Sequence, residues 1–316
     1  MGWPSVISGA ILGWALGSNG ASNCFAAAVS TRIVKYRNAV ILTAIFVILG
    51  AYAEGSKGIY KIGEYAYNSG IDTSTKAFFV MLSAALTVTL MTFLHLPVST
   101  SQAVIGAIIG GAILGGNPDF NEGIKFFVAW FATPFGAIAI SFVLYKVFEL
   151  YIEKRISNYE IYDKSIIFGY YIAGIFAAYS LGGNNVANVT GIYVGILDVL
   201  SIRAAVLIGG ISIAIGVLTF SKGVMKTVGE NLVTLSPMSG LISVFTSAIV
   251  VFIYAKIGIP VSASQAIVGS VIGIGLVKGV NTISFKTIRN IIFGWFGTPT
   301  IAGIVSLILF KIFISI

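Results

Sequence analysis

Long, nearly uninterrupted apolar stretches dominate the chain, for instance at 39–53, 77–96, 126–148, 203–220, 239–255 and 290–316, with short polar strings between them. About 20 apolar residues are the length that spans roughly 30 Å of hydrocarbon. Lipid offers no partners for exposed backbone groups, so spanning segments of this kind are helices. The pattern predicts an all-α, polytopic membrane protein. Composition agrees, since 57% of the 316 residues are hydrophobic and 9% are charged.

The same motifs occur twice in the same order. Gly17, Asn19 and Asn23 of "GSNGASN" match Gly182, Asn184 and Asn188 of "GGNNVAN" at an offset of 165 residues. "SKG" at 56–58 recurs after 165, and "WFATP" at 130–134 recurs as "WFGTP" after 165. "PVSTSQAVIGAIIG" from Pro97 answers "PVSASQAIVGSVIG" from Pro260 after 163. The chain therefore divides into a first repeat at 1–150, a short amphipathic linker at 151–163, and a second repeat at 164–316. Each half holds about five membrane elements, in the first half near 4–30, 37–54, 75–96, 98–116 and 123–148.

An odd number of crossings per half inverts the second half relative to the first. The conclusion is the same with five crossings or with three, elements one and four then being re-entrant. Of the 19 Lys and Arg residues, 12 fall on one side. That bias puts the linker in the cytoplasm and both termini outside. "MGWPSVISGAILGWALG" has no basic n-region and is expected to be the first membrane element rather than a signal peptide.

The net charge of +8 sits in short connections and reports topology, so no nucleic-acid partner is expected. Cys24, the only cysteine, cannot form an intramolecular disulfide and is expected to pack. All eleven acidic residues are placed by the apolar pattern in or near connections. One His, one Cys and no intramembrane acid leave no metal cluster and no nucleophile–base pair, so no enzyme and no cofactor are expected. Lys57, Lys61, Lys222 and Lys226 are expected to snorkel at helix ends, His95 to lie at a helix end, and Trp130 and Trp295 to pack or anchor helices.

The chemistry concentrates in the repeated polar strings. Gly, Asn and Ser in succession are poor helix formers and predict interruptions at both asparagine motifs. Matching interruptions in two inverted halves mark the central site of a transporter. In "PVSTSQA" and "PVSASQA" the proline is expected at the first turn of a new helix. The residues after it then line a helix N-terminus, where free N–H groups favour an anion with several acceptor oxygens. Two such termini from opposite halves would clamp one tetrahedral oxyanion.

At these motifs the sequence resembles the inorganic phosphate transporter family of secondary transporters, which carries a "GANDVAN"-like string and a following "PVSTTH"-like string in each half. The resemblance implies a sodium- or proton-coupled phosphate symporter of the plasma membrane that works by alternating access, with an inverted repeat and often a homodimer. Carried over by position, it implies substrate contacts from Ser99, Thr100, Ser101, Gln102, Ser262, Ser264, Gln265, Asn19 and Asn184. It implies coupling-ion contacts from Asn19, Asn23, Asn184, Asn185 and Asn188, with sodium at Asn23 and Asn188.

Two departures bear on mechanism. Gly20 and Asn185 stand where the family has aspartate, and Gln102 and Gln265 stand where it has histidine. Phosphate near neutral pH carries a hydroxyl that needs an acceptor, whereas sulfate carries none. The loss of both aspartates therefore keeps a sulfate permease of the same fold as the alternative, since an unpaired donor in a dry site is penalised. An anion channel is the third reading.

Overall fold

The computed structural model describes residues 2–93, 98–115, 118–150, 158–232, 236–279 and 285–313. Eleven α-helices follow one another: α1 (Val6–Gly20), α2 (Ser22–Ser30), α3 (Tyr36–Asn68), α4 (Ser74–Phe93), α5 (Thr100–Gly115), α6 (Phe120–Phe148), α7 (Tyr159–Thr190), α8 (Ile202–Leu232), α9 (Pro237–Ile257), α10 (Ala263–Lys278) and α11 (Phe285–Phe313). The described residues contain no strand. Seven helices (α3, α4, α6, α7, α8, α9 and α11) are long and apolar enough to cross a membrane. At 1.5 Å per residue, the 16 residues of α5 and of α10 reach only about 24 Å, short of the hydrocarbon core. Large apolar side chains on the outside, Phe131, Phe135 and Phe168 among them, are 60–68% exposed, as a lipid-facing surface requires.

The elements fall into two sets of five: α1 with α2, then α3 to α6, against α7 to α11. Their contacts pair off by exchange. The α3 helix packs on α7 as α1 and α2 pack on α8, and α5 packs on α11 as α10 packs on α6. Helices α4 and α9 pack on α1 and α7 respectively, and α3 meets α8. Each half is thus built into the other.

The repeated "TP" strings explain one such pair. Pro134 lies inside α6 and Pro299 inside α11. A Cβ at Gly269 of α10 would collide with the Pro134 carbonyl, and a Cβ at Gly106 of α5 with the Pro299 carbonyl. Thr133 and Thr298 beside the prolines return their hydroxyls to the carbonyls of Ala129 (2.7 Å) and Gly294 (2.6 Å). The glycine of each short helix therefore seats against the proline of the other half, backbone to backbone.

Several sequence expectations shift. The α3 helix continues fourteen residues past Glu54, so this acid lies inside a helix rather than in a connection, with its side chain 14% exposed. Its location is explained by two partners, Tyr179 and Lys256, which let a carboxylate sit there. Residues 159–163 of the expected linker form the first turn of α7, capped by the Asn158 side chain, which accepts from the N–H groups of Glu160 and Ile161. The rest of the linker from 151 to 157, together with His95 and Pro97, lies outside the described residues.

Candidate functional site

The interruption expected in the first half is present and small: α1 ends at Gly20 and α2 starts at Ser22, while the Ser22 hydroxyl donates to the Asn19 carbonyl at 2.7 Å. The one expected in the second half is absent. Helix α7 runs unbroken through "GGNNVAN" to Thr190. The glycines there serve close approach, because a Cβ at Gly182 would strike the Val47 carbonyl of α3 and one at Gly183 would crowd the Glu54 side chain. The polar side chains add to the helix instead of replacing its ladder: Asn185 Nδ2 donates back to the Leu181 carbonyl at 3.1 Å, four residues earlier.

The turn into α10 also differs in detail. Pro260 is not the first helical residue. It sits in a non-helical stretch, and Ser262 is the N-cap, its hydroxyl accepting from the Gln265 N–H at 3.4 Å. The serines and glutamine nevertheless lie at the helix start, as does the matching string Thr100–Gln102 at the start of α5.

These helix starts meet the asparagine motifs at one cavity. Its empty volume, part of it open to solvent, is about 340 Å³. Asn19, Gly20 and Asn23 from α1 and α2 wall it, together with Ser99, Thr100 and Ser101 before and within α5. Leu181 and Asn185 of α7, and Ser262, Ala263 and Ser264 at the start of α10, line it as well. Among the described residues that line it there is no Lys, Arg, Asp or Glu. The first N–H groups of a helix have no intrahelical partners, and two helices begin here.

Polar side chains tie the wall together across the halves. Asn188 Nδ2 donates to Ser101 Oγ at 2.9 Å and to Asn185 Oδ1 at 3.2 Å. Ser101 Oγ also reaches the Val261 carbonyl at 3.4 Å. The hydroxyls of Ser262 and Ser264 are 2.8 Å apart. Asn19 Nδ2 approaches Thr92 Oγ1 at 3.5 Å, the limit of a hydrogen bond.

Four of the expected site residues are set behind this wall. Asn184 has both amide atoms engaged by the Val261 backbone, at 2.8 and 3.0 Å. Asn188, Gln102 and Gln265 are buried and do not line the cavity. Among the described residues their carbonyl oxygens (Asn188 Oδ1, Gln102 Oε1, Gln265 Oε1) have no hydrogen-bond partner, nor does Ser99 Oγ. Open hydroxyls also occur elsewhere, at Tyr65, Ser180, Thr246 and Ser306, but the open amide oxygens are gathered behind this cavity.

Sequence reasoning missed two supports. Trp130 is 3% exposed and donates its indole N–H to the Pro260 carbonyl at 3.0 Å, so the tryptophan of one half fixes the entry to the short helix of the other. Ser262-x-x-Gln265 and Ser99-x-x-Gln102 also have the spacing of a capping box, which was legible in the sequence. The Ser262 half of that box is made, whereas the Gln265 oxygen stays open. Lys57 is not directed at the cavity; its ammonium donates to the Lys256 carbonyl at 3.2 Å.

A sequence profile of the phosphate transporter family matches residues 16–306. "Putative phosphate permease MJ0630" of Methanocaldococcus jannaschii is 29% identical over 300 residues, covering 93% of this chain and 92% of that protein. "Sulfate permease CysP" of Bacillus subtilis is 28% identical over 307 residues, covering 95% and 84%. A solved structure titled "The sodium-dependent phosphate transporter" superimposes with a TM-score of 0.88 at 21% identity, covering 98% of this chain and 97% of that one. At that identity the likeness is one of fold.

Proposed function

The chain belongs to the phosphate transporter family, and from that premise we propose that it is a symporter that carries inorganic phosphate across the plasma membrane by alternating access. It is a multi-pass membrane protein and a transporter rather than an enzyme. The observation that carries the finer reading is the single cavity walled by both asparagine motifs and both hydroxyl strings. An oxyanion there would meet the N-termini of α5 and α10 and the hydroxyls of Ser99, Thr100, Ser101, Ser262 and Ser264. Helix starts and hydroxyl donors suit an anion without a fixed cation beside it.

Coupling follows from the acceptors. The open carbonyl oxygens of Asn188, Gln102 and Gln265 favour a hard cation, which takes oxygen ligands. Sodium is favoured over a proton because the described residues of the cavity wall include no carboxylate. Asn23, on the wall, and Asn188, behind it, are assigned to that ion, with Asn19 and Asn185 shared between ion and anion. Asn184 takes a positioning role through Val261. The exchange of contacts between halves supports the inverted repeat that lets one site face each side in turn. The 12-to-7 split of Lys and Arg favours both termini outside, and a homodimer is part of the same reading.

A second reading is favoured by one specific observation. Asn185 lines the cavity where an aspartate would give phosphate's hydroxyl an acceptor, and a sulfate permease is among the relatives. Uptake of labelled phosphate and labelled sulfate into proteoliposomes, each competing with the other under imposed sodium or proton gradients, separates the readings. Saturable, sodium-driven phosphate uptake that excess sulfate leaves unchanged supports the first. Sulfate uptake that phosphate leaves unchanged overturns it in favour of the second, and non-saturating flux overturns both in favour of a channel.

A further inference from the structure

Lys256, in the last turn of α9, pairs its ammonium with Glu54 Oε1 of α3 at 2.7 Å, and the Tyr179 hydroxyl of α7 donates to the same oxygen at 3.0 Å. Lys57, three residues on from Glu54, holds the Lys256 carbonyl. Immediately beyond this end of α9 comes the Pro260–Ser262 segment that enters the cavity wall. Three elements are therefore fastened together at the point from which one side of the site hangs.

The sequence repeat maps this cluster onto another. The offset of 165 relates Glu54 to Thr219 and Trp14 to Tyr179, and the offset of 163 relates Phe93 to Lys256. Those positions also meet: Trp14 Nε1 donates to Thr219 Oγ1 at 2.9 Å. The Trp14 ring lies 5.6 Å from that of Phe220, and the Phe93 ring 6.2 Å from it. Phe93 ends α4, as Lys256 stands near the end of α9, ahead of the Ser99–Ser101 wall. The two clusters occupy related places, although Phe93 joins its cluster through Phe220, whose repeat partner is Gly55, and one cluster is ionic while the other is aromatic.

We propose that Glu54, Tyr179 and Lys256 form an ionic latch that closes one side of the cavity, and that Trp14, Thr219, Phe93 and Phe220 form an aromatic latch that closes the other. This rests on the alternating-access reading, in which inversion of the halves sends the clusters to opposite faces. The unequal chemistry gives the two closed states unequal strengths. Water entering beside Lys256, whose side chain is 51% exposed, can resolvate both charges as α9 leaves α3. The aromatic cluster, whose Phe93 and Phe220 rings are already 61% and 44% exposed, is held by ring contacts and one hydrogen bond, so its opening separates no charges.

The chain carries a built-in reporter. A second cavity lies between α2, α7, α9 and α10 and shares Asn23, Leu181 and Ala263 with the central one. Cys24 lines it and is 1% exposed. Withdrawal of α9 from α3 and α7 joins the two cavities and uncovers the thiol.

The test is the rate at which a small methanethiosulfonate reagent modifies Cys24 in full-length protein in proteoliposomes, with Cys24→Ser as the blank. Glu54→Gln and Lys256→Gln should each speed labelling at least about threefold. The charge-swapped pair, Glu54→Lys with Lys256→Glu, should return the rate to within about twofold of wild type. Trp14→Ala, which weakens the opposite latch, should slow it. Wild-type rates in both single variants, a swapped pair as fast as the singles, or a Trp14→Ala rate raised like that of Glu54→Gln would each overturn the latch. Anion uptake by the same vesicles keeps the two claims apart. A wild-type protein that takes up neither phosphate nor sulfate overturns the transport reading, whereas one that transports while Glu54→Gln labels at the wild-type rate overturns only the latch.

Discussion

Asn184 holds both backbone polar groups of Val261, donating through Nδ2 to the carbonyl at 2.8 Å and accepting through Oδ1 from the N–H at 3.0 Å. Both residues belong to the second half, Asn184 to α7 and Val261 to the non-helical lead-in to α10. The amide is the one small side chain that can serve a donor and an acceptor together in this geometry.

Replacing Asn184 by Ala strands the buried Val261 N–H, at a cost of about 1–3 kcal/mol, and leaves its carbonyl only the long 3.4 Å bond from Ser101 Oγ. Asn184→Ala should therefore lower thermal stability and abolish uptake. Asn184→Asp keeps the acceptor for the Val261 N–H and loses the donor, so it should fall between Ala and wild type. Melting curves and uptake from the same preparation check the order.

Ser101 and Ser264 reach the cavity from opposite halves. Removal of one hydroxyl that binds a charged oxygen costs about 1.5–3 kcal/mol, or roughly ten- to a hundredfold in affinity at 1.4 kcal/mol per decade. Ser101→Ala and Ser264→Ala should each raise the KM for uptake by about that factor. Ser165→Ala should not, since that hydroxyl is exposed and bonds to the Ile161 carbonyl of its own helix. Equal loss in all three variants would remove these serines from the site.

Asn185 stands on the wall at the position of the family aspartate. Asn185→Asp exchanges the amide donor for a second acceptor oxygen and adds a charged ligand for a cation. It should raise the ratio of phosphate to sulfate uptake and steepen the sodium dependence. An unchanged ratio in paired uptake assays would separate this position from substrate choice.

Gly269 and Gly106 lie against proline carbonyls of the opposite half. Overpacking of a tight contact costs about 1–3 kcal/mol. Gly269→Ala should lower the melting temperature, and Gly269→Leu should prevent recovery of folded protein. The matching pair at Gly106 should behave alike, because the contacts are related by exchange.

The sequence made the helical class and the two sets of five elements legible because apolar runs and repeated motifs are local patterns. It also pointed to the serines and to Asn19, Asn23 and Asn185, which the fold gathers at one cavity. It misjudged α7, where helix propensity was outweighed by packing: Gly182 and Gly183 are small so that α3 can approach. It placed Glu54 in a connection because hydropathy falls there, although α3 runs on to Asn68. Asn184, Asn188 and the glutamines share residue types with the wall, and only the three-dimensional arrangement separates those that face the cavity from those that support it. The bond from Trp130 to Pro260 joins positions 130 residues apart in the chain, beyond the reach of any local pattern.

The seating of α5 on α11 has a consequence for biosynthesis. The first short helix leaves the ribosome long before the last helix exists, so the Gly106 face must wait, partnerless, through the synthesis of nearly two hundred further residues. A nascent chain in that condition offers an open groove to membrane chaperones and quality-control proteases. Completion of the final helix is then the event that releases the protein from their surveillance.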